Sequence, residues 1–176
     1  MKKLNTRDIC MTGIFTAIIA VMAQISIPMP LGVPMTMQTF AISLAGVLLG
    51  AKRGFFSTLA YVLLGAAGVP IFAGFRGGML MILGPTGGFI ISFPILALLI
   101  GWGADRGRNE MIAGLIAGNI VNYAAGMICF TLSTGNGLDV AFAACVLPFI
   151  PTAIVKAVAA GAVGLKIRSR VIMSGA

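Results

Sequence analysis

Long apolar runs alternate along this chain with short polar connectors, a pattern that predicts helices crossing a bilayer, since about 20 apolar residues cover the hydrocarbon core. Six such runs occupy residues 8–27, 36–50, 54–69, 86–103, 111–131 and 147–166. The connectors AKRG after Gly50 and GADRGRNE after Trp102 are polar and short. Two connectors are longer. FAGFRGGMLMILGPTGGF separates the third and fourth runs, and STGNGLDVAFAACVL, with room for a short surface helix, leads into the sixth. Pro148 and Pro151 suit the first turn of the last helix, where a missing N–H is tolerated.

Composition agrees with that pattern. Hydrophobic residues make up 59% and charged residues 9% of the 176 positions, and the mean hydropathy is +1.08, beyond what a soluble domain carries. The expectation is an all-α membrane protein, a six-helix transmembrane bundle forming a single integral domain over residues 1–176. The first run is too long for a signal-peptide core and ends without a small-residue cleavage site, so it is expected to be retained.

Charge placement then predicts orientation, because short loops rich in Lys and Arg stay cytoplasmic. Threaded through six spans, Lys2, Lys3, Arg7, Lys52, Arg53, Arg106, Arg108, Lys166, Arg168 and Arg170 fall on one side. Both termini are therefore expected in the cytoplasm, and the chain in the cell membrane as a multi-pass protein. Trp102 fits an interfacial anchor at the inner end of the fourth span.

Arg76 and Lys156 depart from this rule. Arg76 falls in an external loop, whereas Lys156 lies inside the sixth span, roughly 15 Å from its inner end. A charge at that depth costs about 2.5 to 3.5 kcal/mol on insertion scales and calls for a partner, a polar cavity, or a snorkelling route to water. The fifth span offers Asn119, Asn122, Tyr123 and Gly126 on one helical face, with the two asparagines at depths of roughly 12 and 17 Å, bracketing Lys156. These amides serve either a small ligand with a ureido, amide or carboxylate group or hydrogen bonds that simply join helices. Thr36 and Gln38 open the second span and serve either as pocket groups or as an interfacial cap. Arg76 either attracts an anion or is a solvated loop charge. The glycines of GFRGG and GPTGG suggest a lid over an external mouth, where backbone comes close to a ligand, though they also fit a merely flexible loop.

Several kinds of chemistry are excluded. No GxxxxGK[ST] phosphate loop is present, so ATP hydrolysis would need another subunit. There is no histidine and no acidic residue in the interior of a span, which removes the usual proton relay. Cys10, Cys129 and Cys145 lack metal-ligand spacing, and nothing points to a cofactor, a metal, nucleic acid or an enzyme. Gly13, Ala17 and Ala20 line one side of the first span and permit close helix approach, either within the bundle or to another membrane subunit.

VPMTMQTF, LLGAKRG, GVPIFAGFRGG, LGPTGGF, the segment from Asn119 to Gly126, and PFIPTAIVKA together resemble the BioY family, the biotin-specific S components of energy-coupling factor (ECF) transporters. The resemblance spans nearly the whole chain. It implies a six-helix ECF S component that captures biotin at its external face, with Thr36, Gln38, Arg76, Asn119, Tyr123 and Lys156 as substrate-binding residues. It also implies a transmembrane coupling subunit and two cytoplasmic ATPase subunits as partners, with the small-residue face of the first span, here Gly13 and Ala17 with Ala20 beyond, as the docking side. One motif departs from the family pattern: where PFxPGDxxKA is usual, Thr152 and Ala153 replace Gly and Asp, so the usual carboxylate acceptor for the ureido ring is missing. Two alternatives remain open: an S component for a biotin-like vitamin or precursor, and a structural membrane subunit that binds no solute.

Overall fold

Glycine at position 50 makes the most consequential turn in the molecule. The computed structural model describes residues 6–29 and 32–173, with side chains up to Arg168. Lys2, Lys3 and the side chain of Arg170, counted above toward the charge asymmetry, lie outside the described residues. In chain order the elements are α1 (Thr6–Gln24), β1 (Ser26–Ile27), β2 (Met35–Thr36), α2 (Gln38–Ala66), α3 (Met79–Leu83), α4 (Gly87–Ala104), α5 (Arg108–Thr134), α6 (Leu138–Cys145), a 3-10 turn (Leu147–Phe149) and α7 (Ile150–Met173).

Helix α2 holds both the second and the third expected spans. It is broken at Gly50, where φ is 78° and ψ 179°, a conformation open to glycine and costly for residues with a Cβ. The two arms fold back on each other there. Gln38 reaches Tyr61 across 23 residues of sequence at 2.7 Å, whereas an unbroken helix would separate them by about 35 Å. Gly46 and Gly54 face each other across the fold: a Cβ on Gly54 would lie 3.2 Å from the Cα of Gly46.

Asp105 holds this turn from the neighbouring connector. Its Oδ2 accepts the Ala51 N–H at 3.0 Å, which satisfies one of the unpaired donors at the start of the second arm. Its Oδ1 accepts from Arg168 Nη2 at 2.7 Å, and Arg168 Nη1 donates to the Val47 carbonyl at 2.8 Å. Arg53 joins Asp8 at 3.1 Å. The start of α1, the turn of α2, the α4–α5 connector and the end of α7 therefore gather at one end of the bundle. That end carries the basic residues, and Arg106 stacks over the exposed Trp102 ring at 3.5 Å from its centroid.

Among the described residues, five segments are long and apolar enough to cross a membrane: α1, α2, α4, α5, and the stretch Leu138–Arg168 running through α6 and most of α7. The count differs from the six expected because the second and third expected spans fall in the two arms of α2, which is a single element broken at Gly50. The core lies along α2, α4 and α5, where Ile42, Val47, Tyr61, Leu96 and Ile100 are buried. Ile112, Ile116 and Ile120 on α5 and Ile154, Val155 and Val158 on α7 are exposed, as lipid-facing rows should be. This is a multi-pass membrane protein. Helix α6 is the expected short helix: Leu138, Asp139, Phe142 and Ala143 are exposed, while Ala141, Ala144 and Cys145 are buried against Phe130 and Phe149.

The glycines of GPTGG also prove to serve packing. Gly88 lies in the first turn of α4 against α5, so close that an added Cβ would overlap the Ala125 carbonyl. Gly13, by contrast, has nothing within 4 Å of where its Cβ would be. Gly88→Ala should therefore destabilise the chain by about 1 to 3 kcal/mol, the usual cost of overpacking, and Gly13→Ala should not. Thermal unfolding of the two variants in detergent distinguishes these outcomes.

Candidate functional site

At the end opposite the basic rim, two loops and the outer ends of four helices border a cavity of about 470 Å³, within the range of small-molecule sites. Strands β1 and β2 pair antiparallel, Ser26 with Thr36 and Ile27 with Met35, and the connection between them forms one wall through Pro28, Val33 and Pro34. A second hairpin forms another. Phe72 and Arg76 exchange backbone hydrogen bonds at 2.8 and 3.3 Å, and within the three-residue loop between them Gly74 and Phe75 have φ of 72° and 55°, left-handed backbone that lets so short a loop close. The glycine-rich segment is thus an ordered hairpin followed by α3 and the start of α4, and the β1–β2 connection shares the covering role that the sequence suggested for residues 72–89 alone.

Thr36, Gln38, Arg76, Tyr123 and Lys156 all border this cavity. Lys156 donates to the Thr36 carbonyl at 2.9 Å, so the deep cation of α7 is tied to the strand that enters α2. One bond occupies one of its three donors. Thr36 Oγ1 donates to Gln38 Oε1 at 2.7 Å, Gln38 Nε2 donates to the Tyr61 hydroxyl at 2.7 Å, and that hydroxyl donates to the Ile71 carbonyl at 3.1 Å. Gln38 is therefore fixed in a chain of bonds from the β2 strand to the 71–76 hairpin. Arg76 is exposed at the rim, and its guanidinium makes no ion pair among the described residues. Tyr123 stands edge-on to Phe89, with centroids 6.4 Å apart.

Asn119 is not brought into the cavity. Its Nδ2 donates back to Leu115 of its own helix at 2.8 Å. Asn122 takes the position instead: it is 1% exposed, borders the cavity, and donates to Phe89 O at 3.1 Å and Ser92 Oγ at 2.8 Å. Its carboxamide oxygen accepts nothing from the described residues, which leaves an acceptor for a ligand N–H. Phe72, Phe89, Phe93 and Phe149 supply apolar wall. Neither they nor the β1–β2 connection stood out in the sequence as site residues. Pro28 and Pro34 are the signal the sequence offers for this wall, and it offers none that separates these phenylalanines from other apolar residues.

Among the described residues, the cavity wall thus combines two cations, an amide oxygen, hydroxyls and aromatic rings, with no acidic side chain. Gly13 and Ala17 are exposed and, with Ala20, border a separate shallow apolar groove between α1 and the second arm of α2.

This fold and cavity define a multi-pass membrane protein with a partly open cavity of small-molecule size. The chain belongs to the BioY family, whose model matches residues 1–172. A probable biotin transporter BioY from Pyrococcus horikoshii is 44% identical over 157 residues, covering 89% of this chain and 93% of that one. The biotin transporter BioY of Thermotoga maritima is 36% identical over 92% of this chain and 96% of its own length. Among solved structures, the S component for biotin from an ECF-type ABC transporter superposes with a TM-score of 0.84 at 27% identity, covering 96% of this chain and 94% of that one.

The two asparagines differ in their consequences. Asn122→Ala removes both hydrogen bonds that join α5 to α4 through this side chain and should cost about 1 to 3 kcal/mol. Asn119→Ala removes only a bond to a carbonyl of its own helix and should change stability by less than about 0.5 kcal/mol. Ligand-free thermal unfolding of both variants measures the difference.

Proposed function

We propose that this chain is the biotin-capturing S component of an ECF-type uptake system, crossing the cell membrane six times with both termini in the cytoplasm. The observation that carries the reading is the cavity itself: Lys156, Thr36, Asn122 and Arg76 meet around it in a fold that superposes on a biotin S component. The charge asymmetry supports the orientation, since the basic rim and the cavity lie at opposite ends. The two arms of α2 and the placement of Asp8, Asp105 and Arg168 at one end support six crossings.

In this reading the ureido group needs an acceptor that residue 153 does not supply, because Ala153 has no carboxylate. The unpaired oxygen of Asn122 takes that role. Lys156 donates to a ligand oxygen with its remaining hydrogens, Tyr123 and the phenylalanines pack on the ring system and chain, and Arg76 at the rim attracts the carboxylate. Gln38 and Thr36 hold that wall in place. Thr152 does not replace the missing acid, since it does not border the cavity. The chain carries no ATP-binding loop, so ATP hydrolysis belongs to partners: two cytoplasmic ATPase subunits acting through a transmembrane coupling subunit. The stripe of exposed Gly13 and Ala17 with half-buried Ala20 is the docking side for that subunit.

Equilibrium binding of labelled biotin to the purified chain tests the site. Lys156→Ala should weaken it at least about tenfold, as loss of a charged hydrogen bond implies; unchanged affinity removes Lys156 from the site. Competition with dethiobiotin and unrelated vitamins decides the second reading, which Ala153 favours: tighter binding of a biotin-like precursor would make that the ligand.

For the partner side, Gly13→Leu and Ala17→Leu should abolish co-purification with the coupling subunit while leaving biotin affinity within about twofold, since neither residue borders the cavity. Loss of both properties together would place the stripe in the bundle's own packing.

A further inference from the structure

The hairpin that carries Phe72 and Arg76 to the cavity is held from α1 by a single side chain. Gln24, the last residue of α1, donates through Nε2 to the carbonyls of Ile71 and Phe72, both at 3.2 Å, and to Ala20 of its own helix at 3.0 Å. Its Oε1 accepts the Phe75 N–H at 2.8 Å. Phe75 has a φ of 55° and is 72% exposed. A phenylalanine in the left-handed region is costly and persists only where its surroundings fix it. With no side-chain burial to hold it, the N–H bond to Gln24 is the contact that does so.

The same segment faces two ways. Ile71 borders the apolar groove beside Ala17 and Ala20, whereas Phe72 borders the cavity. Gln24 sits between them, on the helix that carries the small-residue stripe, and does not itself border the cavity.

We propose that Gln24 is a positioning residue for the ligand site: it hangs the 71–76 hairpin from α1 as the outer wall of the cavity, and so makes retention of the ligand depend on where α1 stands. This rests on the functional reading above, with biotin as the ligand. Two variants of the full chain in detergent separate positioning from folding. Gln24→Met keeps the length of the side chain and removes every hydrogen bond. Gln24→Glu keeps an acceptor for Phe75 and loses the donors to Ile71 and Phe72.

The readouts are dissociation of labelled biotin under chase and amide hydrogen exchange along the chain. For Gln24→Met, dissociation should accelerate about tenfold, the equivalent of roughly one net hydrogen bond, with faster exchange confined to residues 71–76. Gln24→Glu should fall between this variant and the wild type. Dissociation within twofold of wild type in both variants overturns the proposal, as does acceleration accompanied by faster exchange throughout α4 and α5, which would make Gln24 a residue of general stability. If the wild-type chain holds no biotin, the functional reading fails instead. The positioning role is then decided by exchange alone, standing if only residues 71–76 loosen and falling if they do not.

Discussion

A bilayer offers no water to an unpaired N–H or carbonyl, so every polar group placed among these helices must find its partner within the chain or face a cavity. The arrangement of the molecule follows from this constraint. Thr16 reaches the Ser57 carbonyl at 2.9 Å and Ser57 reaches Thr12 at 3.0 Å, joining α1 to the second arm of α2. Gln38 and Tyr61 join the two arms of α2, and Asn122 joins α5 to α4. Two of the Lys156 donors, the Asn122 oxygen and the Arg76 guanidinium are left over after these pairings and surround one cavity. Thr131 Oγ1 on α5 is a further departure: it is buried without a partner among the described residues and does not border that cavity.

The two ends of the bundle solve different problems. At the basic end, Asp105 and Arg168 fix the turn at Gly50 and draw the end of α7 toward it. That anchorage lets α7 carry Lys156 at a set height against the strand entering α2. At the other end the covering elements are short: two residues in each strand, a tight hairpin, and a one-turn α3. Short elements bury little apolar surface of their own, so side chains from the helices hold them. Gln24, Tyr61 and Lys156 each end on a carbonyl of a covering segment.

This division also separates the two proposed interactions. A ligand meets the covering loops and the outer ends of α5 and α7, while a membrane partner meets the flat, small-residue side of α1. α1 alone takes part in both, through Gln24.

Much of this was legible in the residues, for a physical reason: hydrocarbon selects long apolar runs and expels charge, so spans, connectors and the sidedness of Lys and Arg are written in the order of residues. Of the six site residues expected from the sequence, five border the cavity. The exception shows the boundary. Asn119 and Asn122 are three residues apart, about 60° around a helix, and periodicity places them on one face without saying which meets α4 and which turns back on its own helix. That was decided by Gly88, whose lack of a side chain lets α4 close on α5 and bring the Phe89 carbonyl to Asn122. Likewise, glycine content alone could not tell a loose lid from a hairpin, because the residue that orders it, Gln24, lies 51 positions from Phe75 in sequence. Helix existence and sidedness depend on each segment's own exchange with lipid and water, and the chain determines them locally. Rotation, depth and closure depend on which distant groups are left to pair, and only the assembled bundle could decide those.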